Sequence, residues 1–352
     1  MSKSIIINDT HMCVRNSSDI FINYQDAFYT HVMFPYMKEN GIEHVIHAGD
    51  YAEHRKHLNV KGVTANREHF LDPLAENGYT MDIVPGNHDT YFKNTNRVNS
   101  LDILFAGYDN VTIHHEPTQL QLGNTKLSMI PWISPDNYGR VLEYVKNDDA
   151  THAVGHFEFS GFEMYPGQYS MHGTANVSDY SKYELVMSGH FHKKSQRGNV
   201  MYLGSQLEFT WSDVDDPKYF HVLDWETGNV EAVRIPLTIY RKVVYNDELF
   251  SYENYNVEQF DYNFVKVVVE KKSDPYLFDK FIERIEARPV HDLKVDELFN
   301  EYSGENVADI EFKDTSELLN EYVDGVDTPL DKDRLKTVIH RLLVEAQSIE
   351  IQ

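Results

Sequence analysis

Ile5, Ile6 and Ile7 form a short apolar run that stops abruptly at Asn8-Asp9-Thr10-His11, the pattern of a buried strand that delivers polar side chains from its C-terminal end. Phe21, Tyr24, Phe28, Val32, Tyr36 and Met37 then recur at helical spacing, and Gly41 stands where a glycine cap closes a helix. A second strand reads His44-Val45-Ile46-His47 and ends at Gly49-Asp50. The same grammar repeats with a helix over about 60–77, a strand over 81–84, and then Pro85-Gly86-Asn87-His88-Asp89. Strand, polar loop, helix is the recurring unit, and it predicts an α/β sandwich whose loops at the strand ends carry the chemistry.

After about residue 110 the texture changes to closely spaced strands, over 126–130, 151–154, 184–187 and 200–203, and two of them run into Gly-His. Two final strands are expected between 219 and 235, around the turn at Thr227-Gly228-Asn229, with a domain boundary near Pro236. Residues 237–312 read as a small α+β domain, with a strand over 264–270, a helix over about 275–287 and no catalytic motif. Residues 313–352 read as a helical tail. Leu318, Leu319, Tyr322 and Val323 precede Gly325, Thr328-Pro329 supplies an N-cap and first-turn proline, and Leu335, Val338, Ile339, Leu342, Leu343 and Ala346 form an apolar stripe. That stripe suits either a partner surface or the chain's own body.

A chain of 352 residues exceeds one typical domain of about 100–200 residues. Its 41% hydrophobic content, with 23 Tyr and 19 Phe, excludes disorder as the ground state. The first residues read as a strand rather than a secretion signal, and no apolar run reaches the roughly 18 residues of a membrane span. A single cysteine, Cys13, excludes a disulfide framework and a thiolate zinc site, fits a reducing cytoplasm, and is expected to be a small buried side chain. The net charge of -24 repels phosphate backbones and argues against a protein that merely coats nucleic acid. Much of it lies late in the chain, where Asp292 to Asp327 holds twelve acidic residues against Lys294 and Lys313.

Five clusters carry the candidate chemistry: Asp9-Thr10-His11, Gly49-Asp50, Gly86-Asn87-His88-Asp89, Gly155-His156 and Gly189-His190-Phe191-His192. Any one of them alone is a weak signal. Five in order, each following an apolar strand, serve no packing purpose, and two adjacent divalent metals need such a mixed set of oxygen and nitrogen donors with a bridging carboxylate. Asp9 with His11, and His190 with His192, are expected to alternate along strands and so to point to one side and converge. His44, His47, His114, His115 and His152 are expected to be structural.

In that order the motifs resemble those of the calcineurin-like metallophosphoesterases over residues 5–225. Within that superfamily the chain is most similar to the SbcD-type recombination nucleases and their T-even phage branch. The narrower likeness rests on Tyr202-Leu203-Gly204-Ser205 followed by Asp216-Pro217-Lys218, on Ile130-Pro131-Trp132, and on the terminal helix pair. The resemblance implies two mixed β-sheets flanked by helices, a nuclease domain over 1–236, a DNA-binding or capping domain over 237–312 and an ATPase-binding tail over 313–352. It implies one metal on Asp9, His11, Asp50 and His192 and a second on Asp50, Asn87, His156 and His190, with manganese expected and iron or zinc in one site left open.

His88 would sit beside the metals, stabilising the charged transition state or protonating the leaving oxygen, its ring oriented by a carboxylate. Many nucleases of the family have a histidine three residues after the bridging aspartate; this chain has Glu53 there, with His54 beside it, and neither is placed in the catalytic set. The implied partners are single- and double-stranded DNA and an SbcC-like SMC-type ATPase in a two-plus-two heterotetramer, in the cytoplasm, that of the host for a phage-encoded chain. Lys193, Lys194 and Arg197, Arg241 with Lys242, and Lys271 with Lys272 are candidate phosphate contacts or plain solvated surface. A phosphatase or cyclic-nucleotide phosphodiesterase is the alternative, although Gly49-Asp50-Tyr51-Ala52-Glu53-His54-Arg55 lacks the phosphate-gripping arginine pattern of protein phosphatases. A scaffold with a decayed site is disfavoured by ligands present at all seven positions.

Overall fold

The computed structural model describes residues 2–165, 168–170 and 173–297, together with Val323, Lys332, Leu335 and Lys336. Apart from those four residues, the expected tail over 313–352 and the stretch 298–312 lie outside the described residues.

Two six-stranded sheets form the body. The first runs, edge to edge, Val230–Arg234, Tyr219–Asp224, Lys3–Ile7, His44–His47, Thr80–Ile83 and Val111–Ile113. Its last four strands are parallel and the first two antiparallel to their neighbours. The second runs Ser195–Arg197, Val200–Tyr202, Leu185–Ser188, His152–Gly155, Thr125–Ile130 and Thr118–Leu122, with a parallel centre and antiparallel edges.

Strands that are apolar on both faces need cover on both, and the burial shows how it is provided. Ile6, Ile46 and Leu223 of the first sheet meet Leu127, Met129, Val154 and Met187 of the second in one buried cluster. Ile5, Ile7, Val45 and Ile83 turn to the opposite side, onto the helical stretch Asp19–Asn40 and its neighbours. Ala153, Val186 and Val200 pack on Val141 and Val145 of the helix Tyr138–Asn147. The predicted helix over 21–37 is this Asp19–Asn40 stretch, closed by Gly41 at φ 63°.

A smaller part follows. Tyr240–Asn246, Phe264–Lys271 and Asp292–Glu297 pair in parallel, the helix Pro275–Glu286 crosses between the last two, and Val265, Val267, Phe278, Phe281 and Ile285 fill its core. The buried Glu208 carboxylate joins it to the sandwich by accepting from the main-chain N–H groups of Ile239 (2.7 Å) and Tyr240 (2.9 Å). Among the described residues no helix is long and apolar enough to cross a membrane.

Candidate metal centre

Parallel strands ending at Ile7, His47, Ile83, Gly155 and Ser188 each run into one of the five motifs, so all five gather at strand C-termini, where open α/β sheets place their sites. The side chains do not converge by strand alternation as expected. Asp9 and His11 follow the end of their strand, as do His190 and His192, and at Asp9, His11 and His190 the turn inward is made by left-handed backbone. Asp9, His11, Asp50 and His190 have φ of 47°, 45°, 55° and 88°. Such conformations cost a non-glycine residue about 1–3 kcal/mol each and collect at functional sites.

The turns are bound to each other. Asp9 N–H donates to Gly49 O (2.9 Å), His11 N–H to Asp50 O (3.2 Å) and Met12 N–H to Tyr51 O (2.7 Å). Asp89, fully buried, accepts from Gly86 N–H (2.8 Å), Ala52 N–H (2.9 Å) and Tyr51 N–H (3.3 Å). Burial, and then the nearby Asp50 charge, raises its pKa to about 6. Gly86 is obligatory here, since a Cβ on it would lie 2.2 Å from Asp50 N.

The sequence-predicted ligands meet in two adjacent groups. Asp9, His11 and His192 form one and Asp50, His156 and His190 the other, the donor atoms of each lying within 4.8 Å of one another. In the first, Nε2 of His11 and Nε2 of His192 face each other at 3.1 Å, and His11 Nε2 lies 3.8 Å from Asp9 Oδ1. In the second, His156 Nε2 is 3.2 Å from Asp50 Oδ2, and Asn87 Oδ1 lies 3.0 Å from both His156 Nε2 and His190 Nδ1. His156 Nδ1 donates to Ala48 O (2.9 Å), which fixes the ring with Nε2 toward Asp50 and Asn87. Buried imidazole nitrogens and carboxylate oxygens aimed at common points fit divalent cations of the first transition row. A third group, His11, Glu53 and His88, adjoins the first.

Charge is unevenly shared across these rings. Burial works against a charged His11, but the Glu53, Asp50 and Asp9 carboxylates outweigh it and raise the ring to about 9. His156 rises to about 9 likewise, with Asp50 outweighing burial. His190 falls to about 3 and His192 to about 4, through burial and then the positive His156 and His11 respectively. Asp50 is held well below the usual carboxylate range, because His156, His88 and His11 together overcome its burial. Glu53 is drawn down to about 2, its burial overcome by His11.

Two aromatic side chains wall the centre. Trp132 packs on His156 and His190 with ring centroids 5.8 and 5.4 Å apart, and Phe209 packs on His11 and His192 at 5.3 and 5.4 Å. Behind His192, the buried Lys218 donates to its carbonyl (3.0 Å) and pairs with Asp213 and Asp216, each at 2.9 Å. The His88 ring is oriented by the main-chain carbonyl of Glu53, 2.6 Å from Nδ1, and not by a carboxylate as expected; the main-chain N–H of His88 donates to Asp50 Oδ1 at 2.7 Å.

Sequence reasoning placed neither Asp89, Phe209 nor Lys218 in the site. Asp89 closes a motif already singled out and was open to discovery; Phe209 carried no signal. Lys271 and Lys272 are paired with Glu248 (3.4 Å) and Glu297 (2.6 Å), so they serve the small domain's own structure.

Residues 2–194 match the calcineurin-like phosphoesterase family, and the chain belongs to it. Exonuclease subunit 1 of Enterobacteria phage T4 is 32% identical over 316 residues, covering 88% of this chain and 90% of that protein. Among solved structures, an archaeal phosphodiesterase is 13% identical, covering 66% of this chain and 99% of its own, with a TM-score of 0.35. The purple acid phosphatase PPD1 of yellow lupin seeds (Lupinus luteus) is 12% identical, covering 66% of this chain and 52% of its own, with a TM-score of 0.40.

Proposed function

We propose that this chain is a metal-dependent deoxyribonuclease, an exonuclease and endonuclease subunit that hydrolyses DNA phosphodiester bonds in recombination and repair. One observation carries the step from phosphoesterase to nuclease. The likeness to the phage exonuclease subunit spans 316 residues, more than the sandwich contains, so it extends into the small domain that a phosphatase reading leaves without a purpose.

In this reading Asp9, His11, Asp50 and His192 would hold one divalent ion, and Asp50, Asn87, His156 and His190 would hold a second. Manganese suits the mixed oxygen and imidazole donors. Two such ions, when bound, supply Lewis-acid stabilisation of phosphoryl charge and lower the pKa of water. The protein's own groups do the rest. His88, its Nδ1–H committed to Glu53 O, keeps Nε2 for the substrate, where it stabilises developing charge or gives a proton to the leaving oxygen. Trp132 and Phe209 keep water from the ligand rings and strengthen the electrostatics between them.

Residues 1–236 act as the nuclease domain, 237–312 as a DNA-binding or capping domain, and 313–352 as the grip on an SbcC-like SMC-type ATPase in a two-plus-two assembly inside the cell. The test is manganese-dependent cleavage of a linear labelled duplex by wild type and His88→Ser, with a generic phosphatase substrate in parallel. Cleavage of DNA that is lost in the variant supports the nuclease; activity on the small ester alone overturns it in favour of a phosphatase.

A further inference from the structure

Glu53 stands outside both sets of proposed ligands, yet it touches the centre twice. Its Oε2 lies 2.8 Å from His11 Nδ1, an ion-pair contact that is out of line for a hydrogen bond, and its main-chain oxygen takes the Nδ1–H of His88 at 2.6 Å. The two nitrogens of the His11 ring therefore face different ways. Nε2 looks into the group with Asp9 and His192, while Nδ1 looks outward to Glu53. The carboxylate lies on the far side of the imidazole from the proposed ion. The His11 side chain is buried and that of Glu53 is 26% exposed, so the carboxylate seals the ring at the mouth of the site rather than within the core.

We infer that Glu53 is a positioning residue for the first metal: its carboxylate holds the proton on His11 Nδ1, fixes the ring, and presents Nε2 as the ligand. A carboxylate behind a ligating histidine selects one tautomer and makes the ring more basic, and losing it costs about 10–100-fold in metal affinity. The inference rests on the reading of His11 as a ligand. The same residue serves His88 through its backbone, so the two roles separate by mutation. Glu53→Ala removes the carboxylate and leaves the carbonyl that orients His88. Glu53→Gln keeps an oxygen able to accept from Nδ1–H but loses the charge.

The experiment is a Mn2+ titration of the full chain, followed by calorimetry and by electron paramagnetic resonance, on wild type, Glu53→Ala, Glu53→Gln and His11→Ala. The manganese dependence of duplex cleavage is measured on the same proteins. Glu53→Ala is expected to weaken one of two Mn2+ sites about 10–100-fold, Glu53→Gln less, and the lost cleavage to return as Mn2+ is raised. His11→Ala is expected to lose that site at all concentrations. Wild-type binding in both Glu53 variants, with His11→Ala still deficient, overturns the inference and leaves the ligand reading standing. Two undiminished sites in His11→Ala overturn the ligand reading itself. A Glu53→Ala protein that no Mn2+ concentration rescues makes Glu53 a direct ligand, which also overturns the positioning role. Glu53→Gln guards against misfolding, because a partly exposed Glu exchanged for its amide leaves the packing alone.

Discussion

His221 should be a net burden on the fold, and removing it should stabilise the protein. The residue sits on the strand Tyr219–Asp224 beside Ile6 and Ala232, is 0% exposed, and has no hydrogen-bond partner at Nδ1 or Nε2. An unpaired buried polar group costs about 1–3 kcal/mol. Burial, and then the positive Lys194, lowers the ring's pKa from 6.5 to about 3. Between those two values the unfolded chain carries a proton that the folded chain refuses, so stability falls as pH falls through that window. At pH 5 the unfolded ring is 1.5 units below its ordinary 6.5, a further loss of about 2 kcal/mol at 1.36 kcal/mol per unit. His221→Leu should therefore exceed wild type by about 1–3 kcal/mol at pH 7.5 and by about 3–5 kcal/mol at pH 5. Urea unfolding followed by tryptophan fluorescence, with chelator present in both proteins so that metal linkage cancels, reads the difference directly. A leucine variant no more stable than wild type at pH 7.5, with a gap that does not widen at pH 5, would refute the reasoning and place a partner on the ring.

Asp82 is the converse case, a half-buried group whose removal should destabilise the fold. It accepts from His44 (2.7 Å) and His114 (2.5 Å), which overcome its burial and draw it down to about 2, so its contribution is present above its unfolded value of 3.8 and is lost as pH falls toward 2. Asp82→Asn should cost about 2 kcal/mol at pH 6, and an unchanged urea midpoint would count against it. Glu208→Ala strands two buried N–H groups at the start of the small domain, and limited proteolysis near residues 236–240 should accelerate several-fold; equal rates would show that the joint holds without it. Gly86→Ala drives a Cβ into Asp50 N and should abolish manganese-dependent cleavage and weaken Mn2+ binding, whereas wild-type titration curves would show that the turn yields.

Much of the fold and the centre was legible along the chain, for particular reasons. Ile5–Ile7 and His44–His47 declared themselves as strands buried on both faces, and the polar motifs after them stood out because nothing in packing explains an Asp or His at the end of such a run. How those residues converge was not legible. Pattern reports which residues are apolar and is blind to φ, so Asp9 and His11 read as alternating strand positions when they are turn residues. Long-range partners were hidden for a different reason. Glu53 meets a histidine 42 positions earlier and Phe209 packs on His11 from across the sandwich, contacts that only the folded chain creates. Asp216-Pro217-Lys218 was legible as a string but not as the brace behind His192.

The left-handed backbone at Asp9, His11, Asp50 and His190 bears on how such a protein can be engineered. Glycine would relieve about 1–3 kcal/mol of strain at each of those turns against an entropic cost of about 0.5–1 kcal/mol. A selection that rewards only expression and heat resistance would therefore drift toward glycine at these positions and enrich well-behaved proteins with no chemistry left. Any stabilisation campaign has to hold those residues fixed and look for its gains elsewhere, because here the least comfortable backbone and the working parts of the molecule are the same atoms.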